Sequence, residues 1–360
     1  MIDIRLDEDQ QLILETVTSF AHEKIRPAAR EADETSTVPP ELVAQAWELG
    51  LIQASIPEEF GGQGRADAVT GTVVAEAMAD GDLAIALHAL SPRLVIDPVL
   101  HLGSQEQKRA VLPRYCGAKF VPGSAAVMEP RWNFSVSSLE TKARKQGTEW
   151  VLEGRKCYVP NATESPWIVV YARDEAGVVG AFLVAQGTPG LEVGEREKNM
   201  GMRALETYEI QLTDCRIPLA ARLGADAMAM LRRARVAQSA MAVGVAKASL
   251  DYAIGYAKER EAFGKKIGQK QAIAFMLAEM AIEVDASRLL NWEAAWKLDT
   301  NDPGVREVAL AHRYAADAVM SVTDNGIQVL GGHGFIRDHP VELWARNARG
   351  FAIVDGIASL

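Results

Sequence analysis

The sequence predicts a mainly helical α+β chain in three parts: an N-terminal all-α domain over 1–117, a small antiparallel β-barrel or sandwich over 118–222, and a C-terminal four-helix bundle over 223–360. Three observations carry this. Apolar residues in the first part recur at helical spacing, and short β-rich runs separated by turn residues fill the middle. The last part holds three helical stretches too long for ordinary globular helices.

In the first part Leu12, Ile13, Val17 and Phe20 fall on one helical face, and Pro39-Pro40 opens a second helical run that reaches Leu51. Gly61-Gly62-Gln63-Gly64 is a turn ahead of an apolar helix over Ala66–Ala79, and Pro92 and Pro98 interrupt the stretch 83–102. The middle part contributes Trp150-Val151-Leu152, Trp167–Tyr171, Val178–Val184 and Tyr208–Leu212 as strands. Turn signals at Gln146-Gly147, Glu153-Gly154 and Pro189-Gly190 lie between them. Helical stretches over 228–259, 270–298 and 304–330 then read as an antiparallel bundle, with Thr300–Gly304 as its clearest loop.

Bulk properties narrow the function. Hydrophobic residues make up 48% of the 360, enough for a large core. A net charge of −10 argues against general binding to nucleic acid or anionic membrane, which needs a basic surface. Cys116, Cys157 and Cys215 are far apart without C-x-x-C spacing, so neither structural zinc nor a disulfide framework is expected, and a reducing, cytoplasmic location fits. The opening residues Met1–Glu8 are acidic and lack an apolar signal region, and no stretch reads as a membrane span or metal site.

Two segments of the last part carry chemistry: Arg260-Glu-Ala-Phe263-Gly264, and Gln328-Val-Leu-Gly331-Gly332-His333-Gly334-Phe335. Beyond the glycines stands Asp355. Together these residues resemble the acyl-CoA dehydrogenase family, FAD enzymes that oxidise acyl thioesters. The order helical, β, helical bundle extends the resemblance over nearly the whole chain.

The resemblance implies roles residue by residue. Arg260, in the segment with Phe263, matches the arginine that reaches the FAD diphosphate of a neighbouring subunit, where a guanidinium pairs well with phosphate oxygens. Gln271, Gln328, Gly331, Gly332 and Gly334 match the groups around the adenosine end, the glycines allowing close backbone approach. Because that site draws on two subunits, an oligomer is implied, a homotetramer or a heteromer with a related subunit.

The middle part departs from the family. Where relatives read Thr-Glu-Pro-Gly-x-Gly-Ser-Asp, this chain has Met128-Glu129-Pro130-Arg131-Trp132-Asn133-Phe134-Ser135. Where they read Trp-Ile-Thr-Asn it has Tyr158-Val159-Pro160-Asn161. Met128, Tyr158 and Pro160 thus occupy positions that face the flavin ring in the family, with two side-chain hydroxyls lost. Arg131 and Asn133 replace glycines and are costly wherever the backbone needs a positive φ.

Asp355 takes the place of the family's glutamate base, with Arg346-Asn-Ala-Arg349 setting the register. A carboxylate suits abstraction of an α-proton from a thioester, and aspartate is shorter than glutamate by one C–C bond, about 1.5 Å. Some relatives keep their base on the first long bundle helix instead; here that position is Ala234. Arg235 matches a family arginine and is a substrate-binding candidate, whereas Arg232 and Arg233 read as a solvated face. Arg93 falls where relatives line the acyl pocket and would favour an anionic acyl tail, although a residue following Pro92 also suits the surface. Ile357 replaces a threonine that often touches FAD, and the sequence runs out before the family's final helix.

These features imply an FAD-dependent acyl-CoA dehydrogenase-like oxidoreductase with an acyl-CoA substrate and an electron-transfer flavoprotein as oxidant. Two alternatives stay open. One is a half-site or non-catalytic subunit of a heteromeric dehydrogenase; the other is different chemistry on the same fold, such as nitroalkane oxidation or a non-oxidative acyl-CoA reaction.

Overall fold

The structure, a computed structural model, describes residues 5–64 and 67–360. The opening residues 1–4 and the expected helix start at Ala66 lie outside them. Seven helices come first: α1 (Glu8–Phe20), α2 (Arg26–Thr35), α3 (Pro40–Glu48), α4 (Ala68–Gly81), α5 (Leu83–Ala89), α6 (Arg93–Leu102) and α7 (Gln105–Val111). Side-chain caps set several starts. Asp7 and Gln10 form a capping box on α1, Asp67 accepts from Thr70 N–H at 2.7 Å on α4, and Ser104 and Gln107 form a second box on α7. The helix expected over 66–79 is thus α4. Pro98 lies inside α6 rather than ending it, as happens where tertiary packing outweighs a local breaker.

The middle part is a seven-stranded sheet: β1 (Ser124–Ala126), β2 (Lys142–Gln146), β3 (Glu149–Pro160), β4 (Trp167–Arg173), β5 (Val179–Ala185), β6 (Leu191–Arg196) and β7 (Thr207–Pro218). Its order is β1-β4-β2-β3-β7-β6, with β5 on β4. Most pairs are antiparallel as expected, but β4 runs parallel to both β1 and β2. The β2–β3 hairpin reverses the chain twice before β4 begins, so β4 enters the gap between β1 and β2 in their own direction. The sheet has its own core, around Leu152, Val170, Phe182 and Ile210.

The last part holds α8 (Ala227–Glu259), α9 (Gln271–Asp299), α10 (Val305–Leu330) and the short α11 (Val341–Ala348). A two-residue hairpin, β8 (Glu261–Ala262) and β9 (Lys265–Lys266), joins α8 to α9. One continuous hydrophobic core runs through these helices and the N-terminal ones. The closest approach is at Gly244 of α8, where a Cβ would overlap the carbonyl oxygen of Glu76 on α4. Hydrogen bonds also join the two helical parts: Asp299, at the end of α9, accepts from the N–H groups of Ala68 (2.7 Å) and Val69 (3.0 Å) at the start of α4. We propose domain limits of 1–117, 118–222 and 223–360, which fall between these elements.

The loop leaving β1 is pinned from inside. Glu129, nearly fully buried, accepts from the amides of Glu140 (2.8 Å) and Thr141 (2.8 Å) and pairs with the buried Lys156 ammonium at 3.1 Å. Lys156 also donates to the Val127 carbonyl at 2.8 Å. Burial pulls the Lys156 pKa down to about 8 against the opposing Glu129 charge. Burial alone would raise Glu129, yet the Lys156 charge and the two amides hold it low. Glu129→Ala leaves a buried ammonium unpaired, so it should destabilise the chain by about 3–5 kcal/mol in urea unfolding; a loss under about 1 kcal/mol would contradict this account.

Candidate active site

Helix α8 begins at Asp226, whose carboxylate accepts from Ala229 N–H at 3.0 Å. Two turns in, Arg235 reaches the last segment of the chain. Its Nη2 and Nε donate to Oδ2 of Asp355 at 2.8 and 3.1 Å. The other oxygen, Oδ1, is buried and accepts no hydrogen bond among the described residues. One turn after Arg235, buried Gln238 donates from Nε2 to the Val354 carbonyl at 2.8 Å and accepts at Oε1 from Gly356 N–H at 2.9 Å. The Asp355 N–H points at Sδ of Met128, 3.1 Å away. Gly356 has φ +78, and a Cβ there would strike Val127, so this turn admits only glycine.

Next to this aspartate loop is a cavity of about 600 Å³, walled by Met128, Trp132, Phe134, Tyr158, Glu197 and Ile353. Neither Arg131 nor Asn133 has a positive φ, so the strain expected from replacing two glycines does not arise. Arg131 stays in the cavity wall, tied down by donation to the Ser138 carbonyl and resting against Glu129 at 3.3 Å. Trp132 is 98% exposed at the cavity lip. Tyr158 has φ +52, and its N–H donates to the Glu197 carboxylate at 3.2 Å. Pro160 is buried beside it, without N–H or hydroxyl to offer.

The other candidates gather elsewhere. Arg260 caps the end of α8, Phe263 is 96% exposed at the hairpin tip, and Gln271 opens α9. Gln328 sits in the last turn of α10, and Gly331 and Gly332 follow with open space where a Cβ would stand. Gly334, in contrast, packs on the Ile327 carbonyl. A cleft of about 790 Å³ brings Arg260 together with Tyr256, His333 and His339. Tyr256 and Tyr252 hold the two imidazoles by hydrogen bonds to Nδ1 of 2.9 and 2.7 Å. This cleft shares no lining residue with the Asp355 cavity.

Two arginines are placed differently from expectation. Arg93 is buried rather than at the surface, and it lines a third cavity, of about 460 Å³, beside Asp67 and Asp299 instead of the Asp355 cavity. Arg233, expected in a solvated face, is buried too. Asp97, one turn beyond Arg93 on α6, is buried close enough to feel both guanidiniums; burial raises its pKa, and the two positive charges oppose that.

Sequence reasoning missed Gln238 and His312. Gln238 is a lone amide in an otherwise apolar face of α8, one turn past Arg235, which is the signal that could have found it. His312, on α10, lies close enough to feel both members of the Arg235–Asp355 pair. Burial lowers its pKa, Asp355 raises it and Arg235 lowers it again, leaving it below the ordinary value.

His88 of α5 braces the segment bearing Tyr158 and Pro160, with Nδ1 3.0 Å from Oδ1 of Asn161 and its ring against Phe120. Burial lowers its pKa, and the Asn161 hydrogen bond only partly offsets this. The unfolded chain therefore takes up a proton near pH 6.5 that the folded chain refuses, so stability falls as pH drops below about 6.5. His88→Gln should flatten that part of a stability-versus-pH curve from urea unfolding; an unchanged slope would assign it to other groups.

Comparison with known proteins places the whole chain. The descriptions "Acyl-CoA dehydrogenase, N-terminal domain", "middle domain" and "C-terminal domain" match residues 7–119, 124–215 and 224–358 in turn. The human short-chain specific acyl-CoA dehydrogenase of mitochondria is 34% identical over 99% of this chain and 89% of its own length. A probable acyl-CoA dehydrogenase of Bacillus subtilis is 33% identical, covering 100% of this chain and 97% of its own. The solved butyryl-CoA dehydrogenase of Megasphaera elsdenii superposes with a TM-score of 0.89 at 29% identity, over 99% of this chain and 96% of that one.

Proposed function

This chain belongs to the acyl-CoA dehydrogenase family and is a flavin-dependent oxidoreductase of acyl-CoA, and on that premise we propose that it carries out α,β-dehydrogenation with Asp355 as the base. One observation carries the assignment. The two oxygens of Asp355 are differentiated, Oδ2 held by Arg235 and Oδ1 buried without a partner. Oδ1 is the free lone pair for an α-proton, while Arg235 keeps the side chain aimed.

The residues present fit FAD. Gly331 and Gly332 leave their backbone open, Arg260 shares a cleft with the neighbouring His333, and a cavity walled by Met128 and Ile353 lies next to the aspartate loop. Arg260, Phe263, Gln271, Gln328, Gly331 and Gly332 would hold the adenosine and diphosphate end of a neighbouring subunit's flavin. Met128, Tyr158 and Pro160 would border the ring of this subunit's own. FAD, when bound, supplies N5 as acceptor for the β-hydride. With no side-chain hydroxyl at 128 or 160, the ring end depends on shape and backbone, a loss of about 0.5–1.5 kcal/mol per missing hydrogen bond. An electron-transfer flavoprotein as oxidant and a cytoplasmic location, in keeping with three free cysteines, belong to the same reading.

Separation of the two clefts within one subunit supports an oligomer. So does α9, where Phe275, Ile282 and Leu289 repeat at seven-residue spacing and are 59, 64 and 50% exposed. We read this stripe as a subunit contact in a tetramer. The exposed Trp132 and the missing hydroxyls at 128 and 160 favour one rival, a half-site subunit that completes a related partner's flavin site.

The purified chain, supplied with FAD, should show oxidised-flavin absorbance that bleaches with an acyl-CoA such as butyryl-CoA. Asp355→Asn should slow the bleaching about 10²–10⁴-fold. A chain that stays colourless would exclude the stand-alone enzyme and leave the half-site subunit. In light scattering the chain should run as a tetramer, and Ile282→Glu should shift it to smaller species; a monomer would remove the shared-site arrangement.

A further inference from the structure

An aspartate in place of a glutamate has about 1.5 Å less reach, and a misplacement of about 1 Å costs about 10²-fold in rate. The shorter side chain works only if its main chain is held close and still. Residues 353–356 form no helix or strand that could do this. The amides of Ile353 and Val354 turn back onto the Gly350 carbonyl at 2.9 and 2.8 Å, and beyond them the main chain around Asp355 is held by one side chain on α8. Gln238 is 1% exposed, and its amide is tied at both ends: Nε2 to the carbonyl of Val354 and Oε1 to the N–H of Gly356.

These groups flank Asp355 on both sides, so a single planar amide fixes where its Cα sits. Gln238 follows Arg235 by three residues and shares its helix face. That face therefore grips the loop twice, Gln238 by the backbone and Arg235 by the carboxylate. Met128 adds a third hold, since the remaining amide of the stretch, that of Asp355 itself, points at its sulfur. The mount is rigid, because the 33 residues of α8 are packed on α4 at Gly244, and Gly356 is pressed on Val127 from the other side.

We infer that Gln238 is the positioning residue of the Asp355 base, a backbone clamp that supplies by main-chain placement the reach that aspartate lacks. The inference rests on the assignment of Asp355 as base. It makes the aspartate and the glutamine a matched pair: with the clamp removed, a longer acid should serve better than the native one.

The test uses the FAD-loaded chain and follows loss of the α-protons of butyryl-CoA into D₂O by NMR, which reads proton abstraction apart from hydride transfer. Hydrogen exchange of the Gly356 amide is measured in parallel. In Gln238→Leu the Gly356 amide should lose protection, and α-proton exchange should slow about 10²-fold while KM and flavin content stay near wild type. Asp355→Glu in that background should recover most of the loss, although in the wild-type background it should not accelerate exchange. Gln238→Glu, which keeps only the acceptor toward Gly356, should fall between; it also serves if the leucine variant does not fold. A folded, flavin-loaded Gln238→Leu whose exchange stays near the wild-type rate would overturn the clamp. So would a loss that Asp355→Glu leaves unrepaired, since that marks a general packing role. If Asp355→Asn itself exchanges at the wild-type rate, the base assignment fails first and the clamp has nothing to position.

Discussion

The close crossing of α8 over α4 is the constraint on which the rest depends. Gly244 lets the two backbones meet, and the core built around that contact runs through both helical parts of the chain. Because α8 is a single 33-residue helix, fixing it at one point fixes all of it. Its first turns then present Arg235 and Gln238 to the aspartate loop, and its last turn presents Arg260 to the far cleft. A side chain at 244 would push the helices apart and move both ends of the site together.

Much of this architecture could be read from the amino acids in order, and the reasons differ by element. The long bundle helices announce themselves by length, and the β part by its turns, because both signals are local. The parallel placement of β4 was not legible, since it depends on which gap in the sheet lies open after the β2–β3 hairpin has formed. Burial of Arg93 and Arg233 was hidden for a related reason. The acid that both of them feel, Asp97, is near only one of them in sequence, and arginine on its own reads as surface. Arg235 and Asp355 are 120 residues apart, so only the fold reveals that they form an ion pair.

The altered loop after β1 shows how one buried group keeps a segment in place while its neighbours change. Glu129 binds two amides and the Lys156 ammonium beneath the loop. With that anchor intact, Arg131 finds partners in Ser138 and Glu129. The loop thus keeps its course with neither glycine present. Met128 offers no hydroxyl and instead sets its sulfur against the Asp355 N–H, so the position contacts the aspartate loop.

Asp299 also bears on how the chain is made. The first amides of α4 belong to residues 68 and 69, but the carboxylate that satisfies them is more than two hundred residues further on. During synthesis the N-terminal helices emerge long before this hydrogen-bond acceptor exists. They must wait, partly finished and with apolar faces unmatched, until α8 and α9 have left the ribosome. The helical parts are therefore one folding unit interrupted by a sheet, and the order of translation differs from the order in which the core can close.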